Sequence, residues 1–306
     1  MISSINASDQ IFLAGVNQIQ QQISTANQQL TSGLKVTVAS DAPDQIDDLL
    51  QLRADQAQNT QIASNLGMEQ TNAQAADGAL GSAIQLMDNA TQLAAEGANT
   101  TETATSLQTL AQQVASLQTE MVNLSQTQVA GRYIFSGDLD QSPSYQVDLT
   151  ATDGVDQLSN AASTRQIQNP EGGTFSASMT AQQIFAAQNA DGSDAGGNVF
   201  AALNNLRVAL LNNDQAGITT AQSQIQQAST QLNTAQSFYG NVENNITNAS
   251  NYATTYDTQL TTEIGGIQDA DATSAALQLT QDTTQLQAAF QAQGKMPTSS
   301  LFDYLG

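Results

Sequence analysis

The residues able to do chemistry in this chain are few, and most of the usual ones are missing. There is no His, no Cys and no Trp, which removes thiol nucleophiles, imidazole bases, disulfides and His- or Cys-ligated metals. An enzyme would have to be built from Asp, Ser, Tyr and Lys alone, and no constellation of these is visible. Two groups of Asp remain to be weighed. Asp44, Asp47 and Asp48 could hold a hard cation, but their spacing matches no calcium loop. Ser40, Asp41, Ala42, Pro43 and Asp44 read as a helix start, and the three carboxylates then fall in its first turn, where the helix dipole favours them. The run Asp191 to Gly197 begins like a calcium loop, yet Ala195 and the missing Glu at its twelfth position leave it as a turn. No catalytic residue, cofactor or metal is expected.

The apolar residues, by contrast, are spaced with great regularity. Ile218, Ile225, Leu232, Tyr239, Ile246, Ala253 and Leu260 form one seven-residue series, and Ala221, Ala228, Ala235, Val242, Ala249 and Tyr256 form the other. Such 4-3 spacing predicts one continuous helix with a narrow seam for partner helices. At 1.5 Å per residue it would be roughly 60 Å long, too long for the core of a compact globule. A second seam runs through Phe12, Val16, Ile19, Ile23, Ala26 and Leu30 and should stop at Ser32 and Gly33, ahead of a short extended piece from Lys35 to Val38. A third long pattern extends from Ile46 toward Ala94, is interrupted between Gly97 and Thr103, and resumes from Leu107 to Leu124. A loop that short makes the two helices antiparallel neighbours.

After Gln128 the period is lost. Gly131 to Gly137, Tyr145 to Leu149 and Phe175 to Met179 read as β-favouring stretches between turns. Helix returns at Val199, Leu203, Leu206 and Leu210, breaks at Asn212 to Gly217, enters the long seam and is expected to falter at Glu263 to Gly266. The last segment carries Leu277, Leu279, Leu286 and Phe290, then Leu301, Phe302, Tyr304 and Leu305.

The expected fold is therefore mainly α: a long antiparallel helical bundle or coiled coil made by the N- and C-terminal halves, with a small β-rich domain inserted in the middle. Three parts follow: a terminal coiled-coil assembly region (1–42 with 265–306), a helical rod domain (43–130 with 199–264), and the insert (131–198). The rod seam is assigned to Ile218, Ile225, Leu232, Tyr239, Val242, Ile246, Tyr256 and Leu260. The terminal seams outnumber the partners visible within one chain. Phe12, Val16, Ile19, Ile23, Leu30, Leu279, Leu286, Phe290, Leu301, Phe302, Tyr304 and Leu305 are accordingly assigned to an assembly interface with neighbouring subunits.

The net charge of −22 rests on 28 acidic and six basic side chains. Without a basic patch, neither nucleic acid nor an anionic membrane is an expected partner. Met1 to Gly15 shows no cleavable secretory leader and no apolar run approaches the ~20 residues of a membrane span. The chain is expected either to stay inside or to leave by a route that does not use that code.

Several local stretches resemble the flagellin family. Leu30-Thr31-Ser32-Gly33-Leu34-Lys35-Val36, followed by Ala39-Ser40-Asp41-Ala42-Pro43, is similar to the end of that family's first helix and the acidic helix start after it. Leu93-Ala94-Ala95-Glu96-Gly97-Ala98-Asn99-Thr100 resembles the end of its second helix. Gly131-Arg132-Tyr133-Ile134-Phe135-Ser136-Gly137, Pro43 and the ending Ser300 to Leu305 favour its hook–filament junction branch. The departures are Ala42, where that branch commonly has Asp, and Asn89 and Thr91, which replace arginines that many flagellins offer to an innate immune receptor; that receptor is not carried over. The resemblance covers roughly residues 1–137 and 200–306.

It implies a structural subunit of the extracellular bacterial flagellum, exported unfolded through the type III channel and joining hook to filament by packing of its terminal helices. The implied partners are copies of itself, neighbouring hook-associated proteins, flagellin and an export chaperone. The alternatives are the main filament flagellin, and a secreted helical adhesin or type III translocator.

Overall fold

The computed structural model describes residues 2–161, 164–189 and 195–295. It is mainly helical: α1 (Ile2–Ser32), α2 (Ile46–Gly97), α3 (Ala104–Ser125), α4 (Ala181–Phe185), α5 (Val199–Leu211), α6 (Gln215–Gln268) and α7 (Ala272–Gly294). Six short strands lie between α3 and α5: β1 (Gln128–Val129), β2 (Arg132–Tyr133), β3 (Tyr145–Val147), β4 (Val155–Gln157), β5 (Gln166–Gln168) and β6 (Thr174–Ser176). They pair as three separate antiparallel hairpins and never join into one sheet. The chain divides into two compact units, Met1–Gln58 with Asp257–Gly306, and Asn59–Tyr256.

In the first unit α1 and α7 pack along each other, antiparallel, with the Phe12 and Phe290 rings meeting edge to face at 6.1 Å. The α1 helix ends as expected: Gly33 takes φ +73°, a left-handed conformation that glycine adopts without steric cost. The stretch after it is not a strand. Leu34 makes a single antiparallel bridge to Asp269, and the Lys35 and Val36 amides both donate to Gln268 O. Lys35 Nζ donates to Gly266 O, and Arg53 Nη2 to Gln268 Oε1. Where the sequence suggested a helix broken at Glu263 to Gly266, α6 runs on to Gln268. Two glycines cost a helix only about 1 kcal/mol each when no proline or competing cap accompanies them. The break comes at Asp269–Asp271, where Asp271 caps α7 by accepting from the Thr273 and Ser274 amides.

The helix start at Ser40 to Asp44 is also placed differently. Ala39–Asp41 is a 3-10 turn and α2 begins at Ile46, with Asp47 and Asp48 in its first turn. The Asp41 carboxylate accepts from the Thr37 and Val38 amides and the Thr37 hydroxyl, so it ties the segment before it instead of capping the helix after it.

In the second unit α2 and α6 run antiparallel: Gln215 Nε2 donates to Gly97 O at one end and Asn59 Nδ2 to Ala253 O at the other. α3 lies against α5. The α6 seam is almost dry, with Ile218, Ala221, Ile225, Ala228, Leu232 and Ala235 at zero exposure. Burying a Leu or Ile side chain stabilises by about 1.5–3 kcal/mol, so this seam contributes substantially to the order of the unit. Capping completes it: Thr103 accepts from the Ser106 amide, Asn198 from that of Ala201 and Asp214 from that of Gly217.

The hairpins do not build a core of their own. Phe135, Phe185 and Phe200 stack with Tyr145 and Tyr239 at centroid distances of 5.1 to 6.2 Å, one aromatic cluster shared by the insert, α5 and α6. The Tyr239 hydroxyl accepts from the Met179 amide. Burial pushes that phenol's pKa upward.

Candidate assembly interface

The two sets of seam residues differ in how far one chain covers them. Of the rod seam, Ile218, Ile225 and Leu232 have no exposed surface, Tyr239, Val242, Ile246 and Leu260 have 1–2 %, and Tyr256 is half-buried and stacked on Tyr252 at 6.2 Å. Of the assembly set in α1, only Val16 is buried; Phe12, Ile19, Ile23 and Leu30 are half-buried. In α7, Leu279 and Leu286 are half-buried and Phe290 is 52 % exposed. Leu301, Phe302, Tyr304 and Leu305 lie outside the described residues.

Three further side chains on the pair were not in that set: Ile11 is 74 % exposed, Leu13 57 % and Leu277 59 %. They were missed because they fall off the seam that α1 and α7 make with each other. That position was itself the available signal, since an apolar residue outside the intramolecular stripe has no partner in the same chain. Two helices in contact can cover only one stripe of each, so the pair keeps a second apolar face. A surface of this kind supports helix-on-helix packing and no chemistry.

The rest of the described molecule has the same character. Among the described residues no group of His, Cys, Asp or Glu could hold a metal ion, and no helix is long and apolar enough to cross a membrane. The Asp191 to Asp194 part of the calcium-loop-like run lies outside the described residues. A cleft of about 300 Å³ lined by Asn169, Glu171, Asn245, Asn248 and Tyr252 offers amides and one carboxylate, without a general acid–base pair.

The polar contacts that sequence reasoning missed are structural. Arg165 reaches Asp140 at 3.2 Å and Glu69 of α2 at 3.8 Å, while Arg132 reaches Asp140 at 3.1 Å. The Gln141 side chain and these two arginines hold the Asp140 carboxyl below the usual range. Gln118, Asn204 and Arg207 donate to the Asp153, Ala151, Thr152 and Leu149 carbonyls of the β3–β4 turn. Such pairs bring together residues from distant parts of the chain, and no local motif announces them.

Residues 3–140 match the bacterial flagellin N-terminal helical region, and residues 222–305 match the bacterial flagellin C-terminal helical region. The chain belongs to the flagellin family. As a flagellin-family protein it is a structural part of the extracellular flagellum, not an enzyme. Its fold is shared with solved structures. One from Vibrio parahaemolyticus, described as a flagellar hook-associated protein, aligns with a TM-score of 0.64 at 19 % identity over 75 % of this chain and 100 % of that one. FlgL of Bacillus cereus gives 0.54 at 16 % identity over 72 % and 100 %. The flagellar junction protein FlgL of Legionella pneumophila gives 0.55 at 12 % identity over 72 % and 98 %. No curated protein matches the chain.

Proposed function

We propose that this flagellin-family protein is a junction subunit of the hook-associated protein 3 type, joining hook to filament through its terminal helices. The observation that carries the assembly reading is the contrast between a nearly dry rod seam and an α1–α7 pair that leaves Ile11, Leu13, Leu277 and Phe290 more than half exposed. The junction position is supported by the Gly131 to Gly137 entry to the insert and by the likeness in fold to hook-associated and junction proteins over their whole length. In this reading residues 1–42 and 265–306 are the assembly region. The interface comprises Phe12, Val16, Ile19, Ile23, Leu30, Leu279, Leu286, Phe290 and the terminal Leu301, Phe302, Tyr304 and Leu305. Residues 43–130 with 199–264 are the rod and 131–198 the insert. The partners are further copies, neighbouring hook-associated proteins, flagellin and an export chaperone.

Gene deletion tests the position. Loss of a junction subunit leaves hooks while flagellin is released into the medium; loss of the main flagellin leaves no flagellin to release, and that outcome overturns the junction reading. Phe290→Ser with Ile11→Ser tests the surface. The doubly substituted chain should keep its helical content and be exported, yet fail to complement the deletion.

A further inference from the structure

The α1–α7 pair is almost free of charge. No charged side chain lies between Asp9 and Lys35, and Asp282 is the sole charged side chain between Asp271 and Lys295. A lone charge on a helix pair belongs on the solvent side, where hydration is unimpeded. Asp282 is instead 1 % exposed, one of only two side chains of α7 that are buried, the other being Ala275, seven residues earlier on the same stripe. It sits between the half-buried Leu279 and Leu286. By the register of the Phe12–Phe290 contact it is level with the Ile19 to Ile23 turn of α1.

Among the described residues nothing across the seam answers this carboxylate. Its donor is Gln278 Nε2, one turn back on the same helix, at 3.2 Å from each oxygen. Among the described residues no cation forms an ion pair with it; the three ion pairs involve Arg132 and Arg165. Because Gln278 travels with α7, its hydrogen bond is present whether α1 is in place or not. Pairing therefore removes water from the carboxylate and supplies no new partner in exchange, which opposes pairing. A polar residue at a single seam position is a known way to weaken a helix pair while specifying how it may form.

We propose that Asp282 is a built-in weak point that keeps the α1–α7 pair openable in the free chain, while the charge-free rod seam of α2 and α6 stays closed. The device concerns the free chain and stands independently of which flagellar position the protein occupies.

Hydrogen exchange of the full-length purified chain tests it, with α2 and α6 amides of the second unit as internal reference. Asp282→Asn keeps the side-chain size and adds no apolar area, so it isolates the charge. Protection of the α1 and α7 amides should rise severalfold in this variant and further in Asp282→Leu, with the reference amides unchanged. Gln278→Ala, which strips the remaining donor, should lower protection of the same two helices. Unchanged or reduced protection in Asp282→Asn overturns the proposal, because Asp282 would then be a stabilising member of the seam. A rise confined to Asp282→Leu overturns it too, since added apolar burial alone would explain that result.

Discussion

At the residue scale, order depends on a few atoms with no room to change. Gly97 closes α2 where Leu107, Leu110 and Leu210 converge, and a Cβ there would collide with Leu210 Cδ2. Gly97→Ala should lower the stability of the Asn59–Tyr256 unit by about 1–3 kcal/mol in denaturant unfolding, the usual cost of overpacking. Asp41 gives a pH prediction with a definite sign. Hydrogen bonds from the Val38 amide, then from the Thr37 amide and hydroxyl, hold its carboxyl below the ordinary range. A depressed carboxylate contributes fully above its unfolded value and loses that contribution as pH falls through the lower folded value. In an NMR titration the Thr37 and Val38 amides should keep their neutral-pH shifts to a lower pH than a free Asp would allow. Titration at the ordinary Asp value would refute the assignment. The composition made Asp41 legible as a turn or cap residue, but whether an Asp caps forward or backward depends on two backbone torsions that residue types do not encode.

At the scale of elements, the seven-residue series of α6 was fully legible, because periodicity integrates over many residues and no single substitution obscures it. Leu232→Ala, at the centre of that seam, should cost about 2–5 kcal/mol, seen as a lower midpoint of thermal unfolding. The seam's flanks are mostly Gln, Asn, Ser and Thr, so its specificity rests on knob size, one series being mostly Ala. The α1–α7 pair is as poor in charge, so assembly through it should likewise respond weakly to salt at constant pH, and dissociation at moderate ionic strength, followed by sedimentation, would contradict this. The insert was legible only in part. Strands β4 and β5 carry one apolar residue each and the short α4 three, too few for a period to stand out, and their place is set by the core that Val155, Ile167 and Phe185 join. The apolar face outside the α1–α7 stripe was foreseeable in kind, although Ile11, Leu13 and Leu277 were not assigned to it, because their exposure depends on which stripe the partner helix takes.

At the scale of the whole molecule, the insert and the bundle are one object energetically. Replacing residues 138–198 by a short linker would remove Tyr145, Ile167 and Phe185 from the core that contains Phe135, Phe200 and Tyr239. The shortened chain should melt at a markedly lower temperature; an unchanged melt would mean that the bundle is self-sufficient. The pairing of the two chain ends has a consequence in time as well. Lys35 finds Gly266 across 231 residues, Asn59 finds Ala253 across 194, and Gln293 reaches Asp9 across 284. Contacts of such span demand loop closure before they give anything back, and they slow folding. For as long as synthesis has not reached α6 and α7, α2 and α1 lack the long partners they run against. A newly made molecule therefore waits, with these pairings unmade, until its own last third has been made.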